Sequence, residues 1–372
     1  MIINLIVIFL ILLFGFIYSQ GSNQDINSGS NRKKYIKVIC FILILQSGLR
    51  NVAVGSDTYT YFLYFEDVKR SSWGDIYKAI FNFYELGEGK DIGYVAFEKL
   101  VQVFTNEYQI FLLVIAVIFF TALGNFIYKN TTKLKDSIIA FVIYSVLFYS
   151  FFSITGHRQT LATAGTFFAF EFLKRKRLIP FVVIILIAST IHKSCLVFIL
   201  LYFLSYIKNI KIPFWIVLLL FPILMGFSSI MAKFISVFLN SYEEYEHLEE
   251  YKPVTFVVLM LFIAVLSLIR YNKIIVLDKG VKNYYAGLMV GILFLSLVFE
   301  IHGYMRVVQY FSIFILLLIP LILRSFDSFD KKHRSFIYSI SIIILLSFFI
   351  KANLNMEYKF FWQEMKLEKL YD

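Results

Sequence analysis

The chain has 372 residues, of which 59% are hydrophobic and only 16% charged, with 43 Phe and a mean hydropathy of +0.75. A water-soluble domain of this length could not hide so much apolar surface, so the composition excludes that class. The formal charge of +11 does not indicate nucleic-acid binding, because Lys and Arg lie in short clusters between apolar blocks, as cytoplasmic loops do.

Apolar blocks of the length that crosses a bilayer follow one another along the chain, without the alternation of barrel strands. The sequence predicts an all-α, polytopic integral membrane helical bundle of about twelve transmembrane helices. The predicted segments are 1–19, 36–49, 107–128, 136–153, 158–173, 178–192, 194–208, 212–232, 253–270, 284–301, 306–324 and 335–350. The first has no basic region before it and no clear cleavage site after it, so we interpret it as a retained helix.

The basic residues predict the orientation of these segments. Clusters such as Lys174–Arg177 fall in every second loop, which places those loops in the cytoplasm and both termini outside. Two longer outer loops are predicted at about 50–106 and 240–252, and the first contains an amphipathic stretch at 91–104 that would lie at the interface or over a cavity. We expect a single polytopic domain covering 1–372.

Charged residues at the outer ends of the predicted helices are the candidate site residues, because ionisable groups near hydrocarbon are costly unless they serve a ligand or a partner. Beyond the second segment, Arg50 and Asp57 would contact a phosphate or sugar, or would pair with each other to close the loop. His157, Arg158 and Gln159 open the fifth segment, where a helix N-terminus and a guanidinium together favour an anion.

Two further clusters lie at predicted outer junctions. His192 and Lys193 supply a base and a cation, or form an ordinary polar turn. Glu300, His302 and Arg306 fall within seven residues and suit an anion site, or contain a structural Glu–Arg pair. Convergent arginines suit a diphosphate, and a His or Glu suits proton removal from a sugar hydroxyl.

No cluster has a metal-ligand spacing, so no metal and no cofactor is expected. Cys40 and Cys195 lie inside apolar segments and are interpreted as small core thiols.

Several short motifs resemble those of the EpsG family of Wzy-like exopolysaccharide polymerases. They are the Arg50…Gly55-Ser56-Asp57…Tyr61 stretch, Gly93-Tyr94…Phe97, His157-Arg158-Gln159…Ala162, the basic 174–177 cluster and Ile191-His192-Lys193-Ser194. After residue 210 the resemblance is limited to hydropathy and the late His/Arg pair.

The resemblance implies a metal-independent glycosyltransferase-type polymerase of the bacterial cytoplasmic membrane, with its active site on the outer face. It would join undecaprenyl-diphosphate-linked oligosaccharide repeat units of an exopolysaccharide, capsule or O-antigen. A chain-length regulator and a flippase of the same pathway are further partners it implies, beside membrane lipid, and nucleic acid is not one.

On that basis the expected roles divide into three groups. Arg158 and Arg306 would bind the diphosphate, with Arg50 as a further candidate that either binds it or positions a substrate. His302, or alternatively His192 or Glu300, would be the general base. Asp57, His157, Gln159 and Lys193 would position the substrates.

Other classes stay open at this point. A lipid-oligosaccharide flippase would place charges at mid-membrane and show similar halves, which this sequence does not. A ligase shares the chemistry but delivers the glycan to another acceptor. A glycosyltransferase that uses a polyprenol-phosphate sugar needs an acidic motif in the first outer loop, for which Asp57 or Glu66-Asp67 is a thin match. An integral-membrane acyltransferase is a further alternative through the His residues.

Overall fold

The computed structural model describes residues 2–20, 28–55, 57–87, 91–231, 253–300, 303–354 and 357–364. Within these ranges the chain is helical, and its strand-like pairing is a single antiparallel bridge between Arg50 and Phe360. This all-helical architecture confirms the all-α part of the predicted fold class.

The α-helices of the first part of the chain are α1 (Ile2–Gln20), α2 (Ser28–Gly48), α3 (Thr58–Arg70), α4 (Trp73–Leu86), α5 (Ile92–Gln102), α6 (Tyr108–Asn130), α7 (Leu134–Ile143), α8 (His157–Lys174) and α9 (Leu178–Ile191). Those of the second part are α10 (Ile199–Leu204), α11 (Lys211–Gly226), α12 (Val254–Ile269), α13 (Tyr271–Leu277), α14 (Val281–Leu295), α15 (Tyr304–Ser312), α16 (Ile315–Arg324) and α17 (Lys331–Asn353).

Within the described ranges three helices, α1, α6 and α17, are long and apolar enough to cross a membrane, and the number rises to five if each of two bent pairs forms one span. These pairs are α12 with α13, bent by 80°, and α15 with α16, bent by 44°. Shorter apolar helices occupy four more of the predicted segments. The described residues therefore make the chain a multi-span membrane protein, while the total of about twelve spans and the external termini stay predictions.

Some predicted segments are not continuous α-helices. The 136–153 segment is α7 followed by two π-helical stretches, Tyr144–Phe148 and Ser150–Thr155. The 194–208 segment begins as a 3₁₀ helix, Lys193–Phe198, and continues as the short α10. π-helical turns are frequent at functional sites. The stretch Ser150–Thr155 directly precedes the site described below.

The predicted outer loop at 50–106 is itself helical. It contains α3, α4 and α5, and the amphipathic stretch 91–104 corresponds to α5. Ser72 and Asp75 form a reciprocal capping box that begins α4, and Gly87 ends that helix in the left-handed conformation. The second predicted outer loop, 240–252, lies outside the described residues.

The chain divides into two compact units, each with its own buried residues. The first consists of Met1–Phe170, Val182–Lys193 and Phe336–Asp372, and the second of Glu171–Phe181 and Ser194–Ser335. Cys40 is buried in the first unit and Cys195 in the second, as expected of core thiols. The expectation of a single domain stays a prediction.

A core of aromatic and aliphatic side chains from α3, α5, α6 and α8 holds the helical loop of the first unit against the longer helices. Its buried members are Phe65, Tyr94, Val101, Tyr108, Phe111, Leu112, Ile115 and Leu161. Each fully buried large apolar side chain contributes about 1.5–3 kcal/mol, so this cluster fixes α5 firmly beside the beginning of α8.

Candidate functional site

The segment after α2 is a tight turn that places Arg50 deep in the first unit. Gly55 has φ +95°, and a Cβ added there would lie 2.3 Å from Ile154 Cγ2, so both the backbone conformation and the space require glycine. Arg50 is only 2% exposed. Its guanidinium donates to the carbonyl of Ser47 and to that of Ile154, the latter at 3.3 Å.

The guanidinium of Arg50 also contacts the imidazole of His157, with Nη2 2.6 Å from Nε2. A guanidinium only donates, so Nε2 of His157 accepts and the neutral ring carries its proton on Nδ1. Nδ1 faces the Tyr94 hydroxyl at 3.4 Å, and the ring stacks on Tyr61 with centroids 4.3 Å apart. His157 is thus fixed on every side within the protein.

The π-helical stretch before α8 supplies part of this arrangement. The carbonyl of Ile154 accepts from Arg50 and also from Thr58 Oγ1, the latter at 3.0 Å. That stretch ends at Gly156, and α8 begins at the next residue. The turn after α2, the start of α3 and the start of α8 are therefore joined at one carbonyl.

Arg158 is the next residue of α8, and its side chain is 25% exposed. Its Nη1 donates to Asp91 Oδ2 at 2.7 Å. The guanidinium carbon lies 5.4, 5.8 and 5.6 Å from the ring centroids of Tyr61, Tyr64 and Tyr94. A cation among three aromatic rings keeps its charge at low desolvation cost, so this is a fixed and partly accessible positive charge.

Asp91, the anchor of Arg158, precedes α5 in the left-handed conformation, with φ 52°. A non-glycine residue pays strain there, and its side chain does not cap the helix but points to Arg158 and His192. Burial opposes ionisation of Asp91, but the nearby His192 and Arg158 outweigh it and hold its pKa below the ordinary value. The carboxyl group is thus kept ionised.

His192 stands at the end of α9, with Nδ1 3.8 Å from Asp91 Oδ1 and a side chain that is 13% exposed. Both ring nitrogens are buried, and neither has a hydrogen-bond partner within 3.5 Å in the described part of the chain. Gly93 allows this proximity, because a Cβ there would lie 2.1 Å from Thr190 Oγ1. The start of α5 therefore packs directly on the end of α9.

Glu98 lies on the same face of α5, four residues after Tyr94 and seven after Asp91. It is 1% exposed, and neither carboxyl oxygen has a hydrogen-bond partner within 3.5 Å among the residues that the structure describes. Burial raises the pKa of Glu98 to about 8, against the opposing effects of Tyr94 and Arg158. Two carboxyl groups that interact electrostatically with Arg158 therefore differ in pKa: that of Asp91 lies below its ordinary value, and that of Glu98 is raised to about 8.

The structure thus brings together Arg50, His157, Arg158 and His192 of the predicted site residues. Asp57 is exposed at the start of α3 and Lys193 is exposed after α9, whereas Gln159 is buried at 3% exposure. Arg50 is buried among carbonyl groups. This favours a role in positioning His157 and disfavours direct contact with a ligand.

The later cluster belongs to the second unit. Glu300 is exposed and accepts from Ser228 Oγ at 3.3 Å, while Arg306 lies half-buried on α15. His302, the first candidate for the base, lies outside the described residues. The roles of Arg306, Glu300 and His302 stay predictions.

Sequence reasoning missed Asp91, Glu98 and the tyrosines around Arg158. The available signals were the helical spacing of Asp91, Tyr94 and Glu98 within the amphipathic stretch, and the motifs that contain Tyr61 and Tyr94. It could not reveal Arg158 as their partner, 67 residues after Asp91.

The apolar helices and this buried cluster of charged groups define an α-helical membrane protein with a candidate anion site. The chain belongs to the EpsG family, whose model matches residues 33–365, and this is a family of Wzy-like polysaccharide polymerases. The search of curated proteins found no match, and the search of solved structures found none either.

Proposed function

We propose that this protein polymerises undecaprenyl-diphosphate-linked oligosaccharide repeat units at the outer face of the bacterial cytoplasmic membrane. The bond between the anomeric carbon of the donor glycan and its diphosphate oxygen breaks. A new glycosidic bond forms to a sugar hydroxyl of another lipid-linked unit, whose proton passes to a base, and undecaprenyl diphosphate leaves. Membership in the EpsG family supports the reaction class.

The accessible, anchored guanidinium of Arg158 carries the proposal. The leaving group gains negative charge as its bond to the sugar breaks, so a fixed cation lowers the barrier most if it needs no reorganisation. Asp91 and three tyrosine rings fix Arg158 in this way, while a quarter of its side chain remains exposed. Arg158 lies in the first turn of α8, where the positive end of the helix dipole also favours a bound anion.

Within the part of the chain that the structure describes, His192 is our candidate for the base. Its ring nitrogens have no hydrogen bond there, and it lies beside the Arg158–Asp91 pair. His302 and Glu300 remain alternatives proposed from the sequence, and Arg306 remains a second candidate ligand of the diphosphate. His157, Arg50 and Gln159 would hold Arg158 and the start of α8 in place, and Asp57 and Lys193, both exposed, would contact the sugars.

The test is the product made by cells that carry Arg158→Ala in the full chain. Loss of a donor aimed at developing charge costs about 100-fold or more in rate, so long polymer should disappear and single lipid-linked units should accumulate. Arg158→Lys keeps the charge without the planar fork and should recover only part of the activity.

The matched control is Arg175→Ala, which removes an exposed arginine from the basic 174–177 cluster. It should leave polymer length unchanged at equal abundance in the membrane. Long polymer in the Arg158→Ala strain contradicts the proposal. Single units trapped at the inner face would instead indicate a flippase.

A further inference from the structure

Glu98 is a buried acid that the proposed reaction does not use. Its carboxyl oxygens are both buried without a hydrogen-bond partner, which is an expensive state for an ionised group. Arg158 and Arg50 each have a buried Nε without a partner, and both His192 nitrogens are in the same state. Unsatisfied polar atoms therefore concentrate around Arg158, in the part of the chain that the structure describes.

The surroundings of Glu98 explain why its pKa is raised. On its own helix it interacts with Tyr94, from α6 with Tyr108, and from α8 with Arg158. From α3, Tyr61 packs on Tyr94 with ring centroids 5.6 Å apart. Three of these groups are phenols, so Arg158 is the single cation among the groups that act on Glu98 in the described residues, and Asp91 already engages it.

We propose that Glu98 controls the anion affinity of Arg158 through its own protonation. While Glu98 carries a proton, Asp91 is the one carboxylate among the described residues that offsets the positive charge of Arg158. The remaining positive potential of Arg158 attracts a diphosphate. When Glu98 loses the proton, a second carboxylate on the same face of α5 opposes that anion. This inference rests on the proposed function, because it takes a diphosphate as the ligand of Arg158.

Glu98 acts through Arg158 and is a positioning residue. Its pKa of about 8 sets the range in which the effect appears. α5 lies outside the candidate membrane spans.

The experiment measures binding of inorganic pyrophosphate by the full chain in lipid nanodiscs between pH 7 and pH 9. The Glu98→Gln variant keeps the shape of the side chain without its charge. The affinity of the wild type relative to Glu98→Gln should fall by about tenfold over this interval, since the protonated fraction falls by that factor. Pyrophosphate and all other groups titrate equally in both proteins. The ratio of the two affinities therefore reports the effect of Glu98 ionisation alone.

Glu85→Gln is the control, because Glu85 is an exposed acid on α4. Its pH dependence should follow that of the wild type. A ratio between wild type and Glu98→Gln that stays constant from pH 7 to pH 9 overturns the proposal. Failure of both proteins to bind pyrophosphate at any pH also overturns it.

Infrared difference spectra of the wild type give a second measurement that needs no ligand. The carbonyl band of a protonated carboxyl group should be present at pH 7, decline towards pH 9 and be absent in Glu98→Gln. Its absence from the wild type at pH 7 overturns the proposal, even if Glu98→Gln does not fold. Polymer that persists in Arg158→Ala cells, together with the expected pH ratio, rejects the proposed role of Arg158 in polymerisation and leaves the Glu98 effect standing.

Discussion

The guanidinium of Arg158 and the carboxylate of Asp91 meet at 2.7 Å, with 25% and 14% of their side chains exposed. Asp91 reaches this position from the left-handed backbone conformation and leaves α5 without a side-chain cap. The strained residue thus holds the cation of the site.

A double-mutant cycle should measure the strength of this pair. Arg158→Ala and Asp91→Ala each leave the partner's charge partly buried and unpaired. The losses of stability in the two single variants should therefore add up to more than the loss in the double variant. The expected coupling is about 1–3 kcal/mol, above that of an exposed pair. Reversible unfolding of the detergent-solubilised chain at neutral pH gives the value, and the coupling should disappear as the pH falls below the depressed pKa of Asp91. Additive effects at neutral pH would contradict it.

The buried acid should make the stability of the protein depend on pH. The pKa of Glu98 is raised to about 8 in the folded chain, while an unfolded Glu ionises near 4.3, so the folded state binds more protons between these values. Its contribution to stability should therefore decline from about pH 4.5 to pH 8 and then level off. Glu98→Gln should remove this decline, so that its melting temperature exceeds that of the wild type more at pH 8 than at pH 5. Parallel curves for the two proteins would contradict the assignment.

Gly93 should be intolerant of any side chain. A Cβ at this position would lie 2.1 Å from Thr190 Oγ1 and 2.8 Å from its carbonyl carbon, so Gly93→Ala must push α5 away from the end of α9. We expect a loss of about 1–3 kcal/mol in stability and of most polymer, because Asp91 and His192 separate.

The control is Gly74→Ala at the start of α4, where the nearest atom to the added Cβ is Ser72 Oγ at 3.4 Å. It should leave both stability and product unchanged. Normal polymer from Gly93→Ala would show that the contact between α5 and α9 is dispensable.

The segment 357–364 should be needed for the site, because it pairs with the turn that contains Arg50. Asn51 N donates to Lys359 O at 2.9 Å, Phe361 N donates to Leu49 O at 2.9 Å, and the Tyr358 hydroxyl donates to the carbonyl of Gln46. Deletion from residue 357 onward should therefore abolish polymer while the chain still inserts. Deletion from residue 366 onward keeps these bonds and should leave activity intact. Equal polymer from both deletions would contradict the expectation.

Accessibility labelling should test the orientation. Cys40 and Cys195 are buried, so a single new cysteine at an exposed position dominates the reaction with a membrane-impermeant thiol reagent. Asp57→Cys and Lys193→Cys should react in intact cells, and Arg175→Cys only after permeabilisation. The opposite pattern would place the site at the cytoplasmic face and reject polymerisation at the outer one.

The sequence predicts the most apolar helices well, because their hydropathy is high over a long run, and α1 and α6 lie within two residues of the predicted bounds. It did not predict α3 and α4, which lie in the stretch expected to be an outer loop. Arg158 could be predicted as a site residue because a charged group next to an apolar helix is energetically costly and stands out in the sequence. Asp91 and Glu98 were not, because an acid in an aqueous loop costs nothing until the fold buries it. The π-helical stretch before α8 was equally hidden, since it depends on where Ile154 must present its carbonyl to Arg50 and Thr58.

The bridge between Arg50 and Phe360 bears on how the protein is made. Residue 50 leaves the ribosome some 310 residues before its partner, so the N-terminal helices enter the bilayer while this turn lacks its pairing strand. At the usual rate of about 5–20 residues per second, that interval lasts about 15–60 seconds. During it the arginine depends on His157 and nearby carbonyl groups once they have emerged. Maturation of the site is thus tied to the end of translation, and a nascent chain stalled before residue 357 is inserted without its closing segment.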